Sequence, residues 1–159
     1  MHESFESRIL RWRFNLFPAY RGTGARITYI SSDFREFRVR LPLSLRTRNA
    51  VGTIFGGSMY GAVDPIYMIM LIRNLGRDYV VWDRAATIRF RKPGRTTLYA
   101  TCRVDEAELE TIRSLTAAGN AIDRTYRVDL VDAEGTVHCE VDKVIYVKRK
   151  VARPEEKRA

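Results

Sequence analysis

Hydrophobic positions change period several times along the chain, and each change marks an element. Phe5, Ile9, Trp12 and Leu16 recur at the i, i+4, i+7, i+11 spacing of one helical face, with Arg8, Arg11 and Arg13 beside it. Pro18 ends that pattern. The spacing predicts a helix over 4–17 that lays this face across the outside of the domain or against a partner. The alternative is a basic amphipathic helix on a membrane surface, for which it is short. Strand-like runs follow at 25–31 and 34–41, joined at Ser32-Asp33. In the second, Phe37, Val39 and Leu41 alternate with Arg38 and Arg40, a half-buried strand with a cationic outer face. Residues 43–54 read as a loop carrying Arg46, Arg48 and Asn49 into a group of glycines.

The next stretch has no polar side. From Met59 to Leu75 nearly every position is apolar, and a helix of that kind must be buried in a membrane or inside a protein. Its uninterrupted apolar run covers only 66–72, far below the roughly 20 residues that span a membrane. A core helix is predicted over 58–75, with no membrane span. Pro65 lies inside it and cannot donate to the carbonyl of Gly61, whose missing side chain gives the backbone room to adjust. One helix distorted near Asp64 is therefore expected. The alternative is that Asp64 caps a second helix starting at Pro65.

Four further strand-like runs follow. Those at 79–92 and 98–104 read as a hairpin across Pro93-Gly94-Arg95, and those at 122–131 and 137–148 as another across 132–135. Between the pairs, Asp105 to Glu108 form a capping-box pattern ahead of Leu109, Ile112 and Leu115, a short helix that Gly119 is placed to end. Two strands before and four after one buried helix predict an α+β fold: a long curved antiparallel sheet wrapped around a central helix.

The 159 residues suit one domain. We divide them into an N-terminal amphipathic helix and linker (1–24), the sheet-and-helix domain (25–148) and a disordered basic tail (149–159). Cys102 and Cys139 fall inside strands and are expected to be reduced core thiols. Charges throughout 1–17 leave no apolar centre for a secretory signal, so a cytoplasmic location is expected. Lys and Arg number 28 against 19 Asp and Glu, a formal +9, which favours polyanionic partners. The arginines are spread over almost every element, so nucleic-acid binding is not the expected function.

Several chemistries are unsupported by spacing. His2 and His138 join no cluster of metal-ligand type. There is neither a dinucleotide-binding nor a P-loop glycine pattern. Gly56-Gly57-Ser58-Met59-Tyr60 lacks the last glycine of a nucleophile elbow, and no histidine lies near it.

One constellation remains. Asn49, Gly52, Gly56, Gly57 and Asp64 match, residue for residue, the motif of the acyl-CoA thioesterase branch of hotdog-fold proteins: an Asn, a Gly, then His-Gly-Gly, and an acid seven positions later. The stretch FRKPGRTTLYA (90–100) resembles the strand-turn-strand that follows in that family. GTIFGGSMYGAVDPIYMIMLI with VWDRAATIRF is similar to a hotdog subgroup of unknown function. The resemblance covers about residues 25–148. It implies a hotdog fold, a homodimer that can pair into a tetramer, and acyl-CoA or a related thioester as substrate, with no cofactor. Protomers of this family pair edge to edge, which implies sites built across the interface. Phe55 stands where the motif has histidine; this keeps the glycine amides and removes a polar handle.

On that resemblance Asp64 is the nucleophile or general base, the Gly56 and Gly57 amides form the oxyanion site, and Asn49 orients substrate. Physical reasoning about Asp64 is compatible. A carboxylate among apolar residues needs a hydrogen-bonded or wet niche, and there it can attack a carbonyl or activate water. The plainer reading is a helix-stabilising acid with no chemistry. Asp83, a second acid in an apolar strand, is expected to pair with a neighbouring arginine. Arg89, Arg91, Lys92 and Arg95 around the Pro93-Gly94 turn are candidates for coenzyme A phosphates, or else a solvated hairpin end. A non-catalytic acyl or acyl-CoA binder on the same fold is the alternative function, favoured by Phe55. A basic surface module for nucleic acid or anionic membrane is a third reading.

Overall fold

The computed structural model describes residues 2–150. Helix α1 (Phe5–Leu16) and the short α2 (Pro18–Gly22) precede strands β1 (Arg26–Ile30) and β2 (Glu36–Leu41). The central helix comes as α3 (Gly56–Val63) and α4 (Ile66–Leu75), followed by β3 (Tyr79–Phe90), β4 (Leu98–Arg103), α5 (Glu106–Leu115), β5 (Ala121–Val131) and β6 (Val137–Arg149). The six strands form one antiparallel sheet in the order β1-β2-β4-β5-β6-β3, and its concave side holds α3 and α4. This is the hotdog arrangement expected from the sequence. Alternation reads through to burial in β2, where Phe37, Val39 and Leu41 are buried while Arg38 and Arg40 face out. Both cysteines are buried and free, in β4 and β6.

The central helix is one distorted rod. Asp64 and Pro65 keep right-handed helical dihedrals (φ −49°, ψ −54° and φ −83°, ψ −5°), and the Ile69 amide donates to the Pro65 carbonyl. Asp64 makes no side-chain cap, so the capping alternative does not hold. Near the break the Tyr20 hydroxyl donates to the Ala62 carbonyl at 3.0 Å. Bare Gly61 lets Thr23 pack against the rod: a Cβ there would lie 2.7 Å from the Thr23 methyl. Gly76 (φ +86°) ends α4 in a conformation that glycine adopts freely.

Three expectations need correction. β3 does not pair with β4; it pairs with β6 along Tyr79–Phe90 and forms the far edge of the sheet, while β4 pairs with β2. The link between β3 and β4 is docked instead of tightly turned, since the Gly94 carbonyl accepts from Ile54 and the Arg91 amide donates to His138. At up to about 3.5 Å per residue, residues 91–97 can cross the two intervening strands, spaced roughly 4.8 Å apart. The second concerns α1 only in part: Phe5, Ile9, Trp12 and Leu16 point away from this domain, Leu10 and Phe14 face its core, and packing of the outer row against a partner is the form of that expectation that stands. The third is the tail: Arg149 closes β6 and the Lys150 amide donates to Asp78, whereas the rest of the expected tail lies outside the described residues.

Polar bonds add to the core packing of Leu10 and Phe14 in holding α1 in place. The Asn15 side chain both donates to the Ile27 carbonyl and accepts from the Ile27 amide, each at 2.8 Å, and the Glu3 carboxylate accepts from the Ile30 amide at 3.0 Å. These bonds close the outer edge of β1, which would otherwise offer unpaired backbone groups. Asn15→Ala leaves the Ile27 groups unpartnered and is expected to lower stability by about 1–2 kcal/mol. A drop in the thermal midpoint of roughly 2–8 °C would be the corresponding measurement.

Candidate functional site

Helix α3 begins at Gly56, with Phe55 as an N-cap whose side chain supplies no acceptor. The Ser58 and Met59 amides bond back to the Phe55 carbonyl at 2.9 and 3.1 Å. Among the described residues the Gly56 and Gly57 amides have no acceptor, as the first N–H groups of a helix do not. Two unpaired donors at the positive end of a helix suit an oxyanion. The bare glycines also let two exposed aromatic rings lie against the start of the helix. A Cβ on Gly56 would lie 2.8 Å from the tip of Phe90, and one on Gly57 would enter the Phe55 ring.

Gly56 opens onto a cavity of about 430 Å³ bounded also by Asn49, Met59, Phe90, Arg91 and Lys92. The structure thus brings Asn49, Gly56 and part of the basic turn to one cavity. Asn49, however, is engaged in its own loop. Its Oδ1 accepts from the Val51 and Thr53 amides at 3.1 and 3.0 Å, and its Nδ2 donates to Thr53 Oγ1 at 3.0 Å. The loop turns at Gly52 (φ +82°).

Asp64 lies elsewhere. Seven residues along the rod place it about 10 Å from Gly57 along the axis. It lines a second cavity, of about 310 Å³ and largely apolar, with Phe14, Phe17, Tyr20, Met68 and Ile69. Behind it stands a residue absent from the sequence reading. Lys143 of β6 is fully buried, and its ammonium sits 2.6 Å from Asp64 Oδ1, 2.9 Å from Asp83 Oδ1 and 3.2 Å from the Tyr60 hydroxyl. The Asp83 contact is a charge contact too bent for a hydrogen bond, so that oxygen lacks a donor. Asp64 keeps two-fifths of its side chain exposed, and its Oδ2 has no protein donor among the described residues.

The electrostatics follow from one cation shared by two acids. Burial pulls the Lys143 ammonium down, but its bonds to Asp64 and Tyr60 and its charge contact with Asp83 outweigh that and hold it above the usual lysine range. Burial pushes Asp83 up; the Asp64 charge adds to the shift and Lys143 opposes it. Tyr60 is raised by burial and then by Asp64. Asp83 therefore pairs with a lysine across the sheet and not with an arginine. A bulge in β3 between Asp83 and Ala85 re-aims the strand, and Arg84 turns out to Asp123 at 2.9 Å.

The basic turn divides in two. Arg89 is bound to Asp142 at 2.5 Å and Arg91 to Glu140 at 2.7 Å, an acid it shares with Arg127. Lys92 and Arg95 have no acid within ion-pair distance among the described residues, and both are exposed. No group of His, Cys, Asp and Glu among the described residues is placed to hold a metal ion.

A curved antiparallel sheet around a buried helical rod defines a hotdog fold. Similar solved structures include a Pseudomonas aeruginosa protein of unknown function named "Probable Thioesterase" (16% identity over 94% of this chain and 99% of that one, TM-score 0.79). Others are a Haemophilus influenzae thioesterase (14%, covering 95% and 96%, TM-score 0.68) and a Chlorobaculum tepidum protein of unknown function (16%, covering 92% and 95%, TM-score 0.72). At these identities the likeness is one of fold. The chain belongs to the family described as Domain of unknown function (DUF4442), which matches residues 6–147. No curated protein matches it.

Proposed function

We propose that the protein is an acyl-CoA thioesterase-like hydrolase whose site is completed by a second copy of the chain. The observation that carries this reading is Asp64: a partly exposed carboxylate held at one oxygen by a buried lysine, with the other oxygen free beside an apolar slot. The slot suits an acyl chain. Acting as general base, Asp64 takes a proton from water as the water oxygen attacks the thioester carbonyl carbon. The resulting oxyanion is held by the Gly56 and Gly57 amides, the C–S bond breaks, and the thiolate leaves to take up a proton, giving a carboxylic acid and a free thiol. As nucleophile, Asp64 would attack the same carbon, and the C–S bond would break to release the thiolate and leave a mixed anhydride on Asp64. Water would then hydrolyse that anhydride to the carboxylic acid and the free carboxylate, the thiolate taking up a proton. The uncommitted Lys92 and Arg95 are placed for the phosphates of coenzyme A, with Arg91 at the cavity wall and Arg89 fixed to β6.

Within one chain Asp64 is about 10 Å along the rod from the glycine amides, too far for both to serve one carbonyl. Pairing two chains along the open β3 edge resolves the gap by letting the acid of one protomer meet the amides of the other. That edge supports pairing: α1 closes the opposite edge, whereas among the described residues no strand pairs with the outer side of β3, which exposes Trp82 and Phe90.

The test is subunit complementation with acyl-CoA as substrate. Asp64→Asn removes the base. Gly56→Pro removes one amide at the first helical position, where proline is tolerated; Phe55 (φ −62°, ψ 132°) already has the extended backbone that a following proline requires, and the exposed Phe90 ring that the new Cβ would meet can swing away. Each variant alone is expected to be inactive. Refolded together, they form heterodimers with one intact site and should recover roughly a quarter of wild-type activity. No recovery in heterodimers of confirmed composition would overturn the shared site.

A second reading is favoured by Phe55, whose ring packs over Gly57 in place of a polar side chain. On that reading the protein binds acyl-CoA without cleaving it. Incubation with acyl-CoA that returns the intact thioester in complex would select binding over hydrolysis.

A further inference from the structure

Helix α1 exposes what its sequence led us to expect it would bury. Phe5, Ile9, Trp12 and Leu16 lie within roughly 60° of one another around the helix axis, and they are 72%, 42%, 67% and 47% exposed. Phe17, just beyond, is 58% exposed. Four large apolar side chains on one solvent-facing helix surface, with Phe17 at its end, mark an interaction site. Exposed Arg8 and Arg13 flank the row on its two sides. Beside Trp12 and Leu16 runs a groove of about 540 Å³ lined by Arg11, Arg21, Arg26 and Arg46 and by no acid. Of these four, Arg11 is bound to Glu3; the other three have no acid within ion-pair distance among the described residues.

We propose that this face docks on an anionic phospholipid surface, with the apolar row in the acyl boundary and the arginines on lipid phosphates. The combination is what distinguishes this occupant. An interfacial helix buries an apolar face while cations on its flanks meet anionic headgroups. A second copy of the chain fits worse, because a two-fold contact centred on α1 would bring its arginines against their own duplicates on a protein of net charge +9. The residues after Lys150 read VARPEEKRA, with a single valine to set against five large side chains. Docking leaves the β3 edge free, since β1 and β3 are at opposite ends of the sheet. Phe17 also walls the slot that holds Asp64, so the lipid-facing row reaches the slot's rim. The inference does not rest on catalysis.

The full chain is sedimented with vesicles of phosphatidylcholine alone and of phosphatidylcholine with phosphatidylglycerol. Binding is expected only to the anionic vesicles, and to weaken as salt rises. Trp12→Ser with Leu16→Ser, which changes no charge, should reduce partitioning at least about tenfold. Arg21→Gln with Arg46→Gln should reduce it by roughly fivefold per arginine, while Arg77→Gln with Arg149→Gln, an equal charge loss at the other end of the sheet, should leave most of the binding. All these side chains are exposed, so thermal midpoints should stay near wild type. The proposal is overturned by absence of binding at low salt or by unimpaired binding of the Trp12/Leu16 variant, the behaviour of a protein that merely seeks polyanions. It is equally overturned if the Arg77/Arg149 variant loses as much as the groove variant, or if the Trp12/Leu16 variant has a smaller mass in solution than wild type.

Discussion

Asp64→Asn is expected to lower acyl-CoA turnover by about a thousandfold, within the range that a positioned general base contributes, while leaving the fold intact. The arithmetic of the buried cluster explains why the two effects separate. Lys143 faces two carboxylates, so the native cluster holds one positive and two negative charges when both acids are ionised. Replacing Asp64 with the neutral amide leaves a balanced Lys143–Asp83 pair, and the asparagine oxygen can still accept from the ammonium. It also removes one of the influences that raise Asp83. The change in stability should be within about 1 kcal/mol, as for substitutions that strand no buried group. Steady-state kinetics alongside thermal melts reads both quantities. Turnover within a few-fold of wild type would remove Asp64 from the chemistry; a collapsed melting transition would instead make it a structural acid.

The fold was legible because its elements announce themselves locally. The all-apolar rod from Met59 to Leu75, the alternation of β2 and the Asp132–Gly135 turn each depend on neighbours within a few positions. Pairing between distant strands does not, which is why a β3–β4 hairpin looked natural although β3 lies beside β6. Which face of α1 meets its own domain is not legible locally for a related reason. Part of what anchors the helix is Asn15 and Glu3 bonding the amides of Ile27 and Ile30, and such edge closure leaves no hydrophobic signal. At the candidate site, Asn49, Gly56, Gly57 and Asp64 could be picked out by motif, but their division between two cavities about two helical turns apart depends on three-dimensional packing. Lys143 was missed although a signal existed. Cys139, Val141, Lys143, Ile145 and Val147 form one alternating inward series along β6, and a lysine in such a row must meet an acid across the core. Searching for that acid would have led to Asp64 and Asp83 together.

Lys143→Met should be the most damaging single change to stability. It leaves Asp64 and Asp83 facing each other with no cation between them, and stranding buried charge in this way costs about 3–5 kcal/mol. Asp64 reaches solvent, so the lower end of that range applies, equivalent to a fall of roughly 6–12 °C in the thermal midpoint. The pH dependence identifies the cause. Asp83 is held above the ordinary carboxylate range by burial and by Asp64, with Lys143 pulling the other way. A carboxyl whose folded-state pKa is raised binds its proton more readily folded than unfolded, so its contribution is favourable at low pH and is lost as pH rises through the folded value. Removing Lys143 takes away the downward pull and moves that loss to higher pH. The variant's deficit should therefore shrink as pH falls from 7 toward about 4, the unfolded value. Wild type should show a second loss, of the same sense, at the alkaline end. Its Lys143 has a raised folded-state value, so that contribution is full below about 10.4 and fades above it. Adding Asp83→Asn to the methionine variant removes the stranded charge and should recover part of the lost stability, with a non-additivity of about 1–3 kcal/mol in the double-mutant cycle. A deficit that is the same at pH 4.5 and 7.5, or that adds simply with Asp83→Asn, would mean that Lys143 serves the core by packing alone and does not hold the two acids.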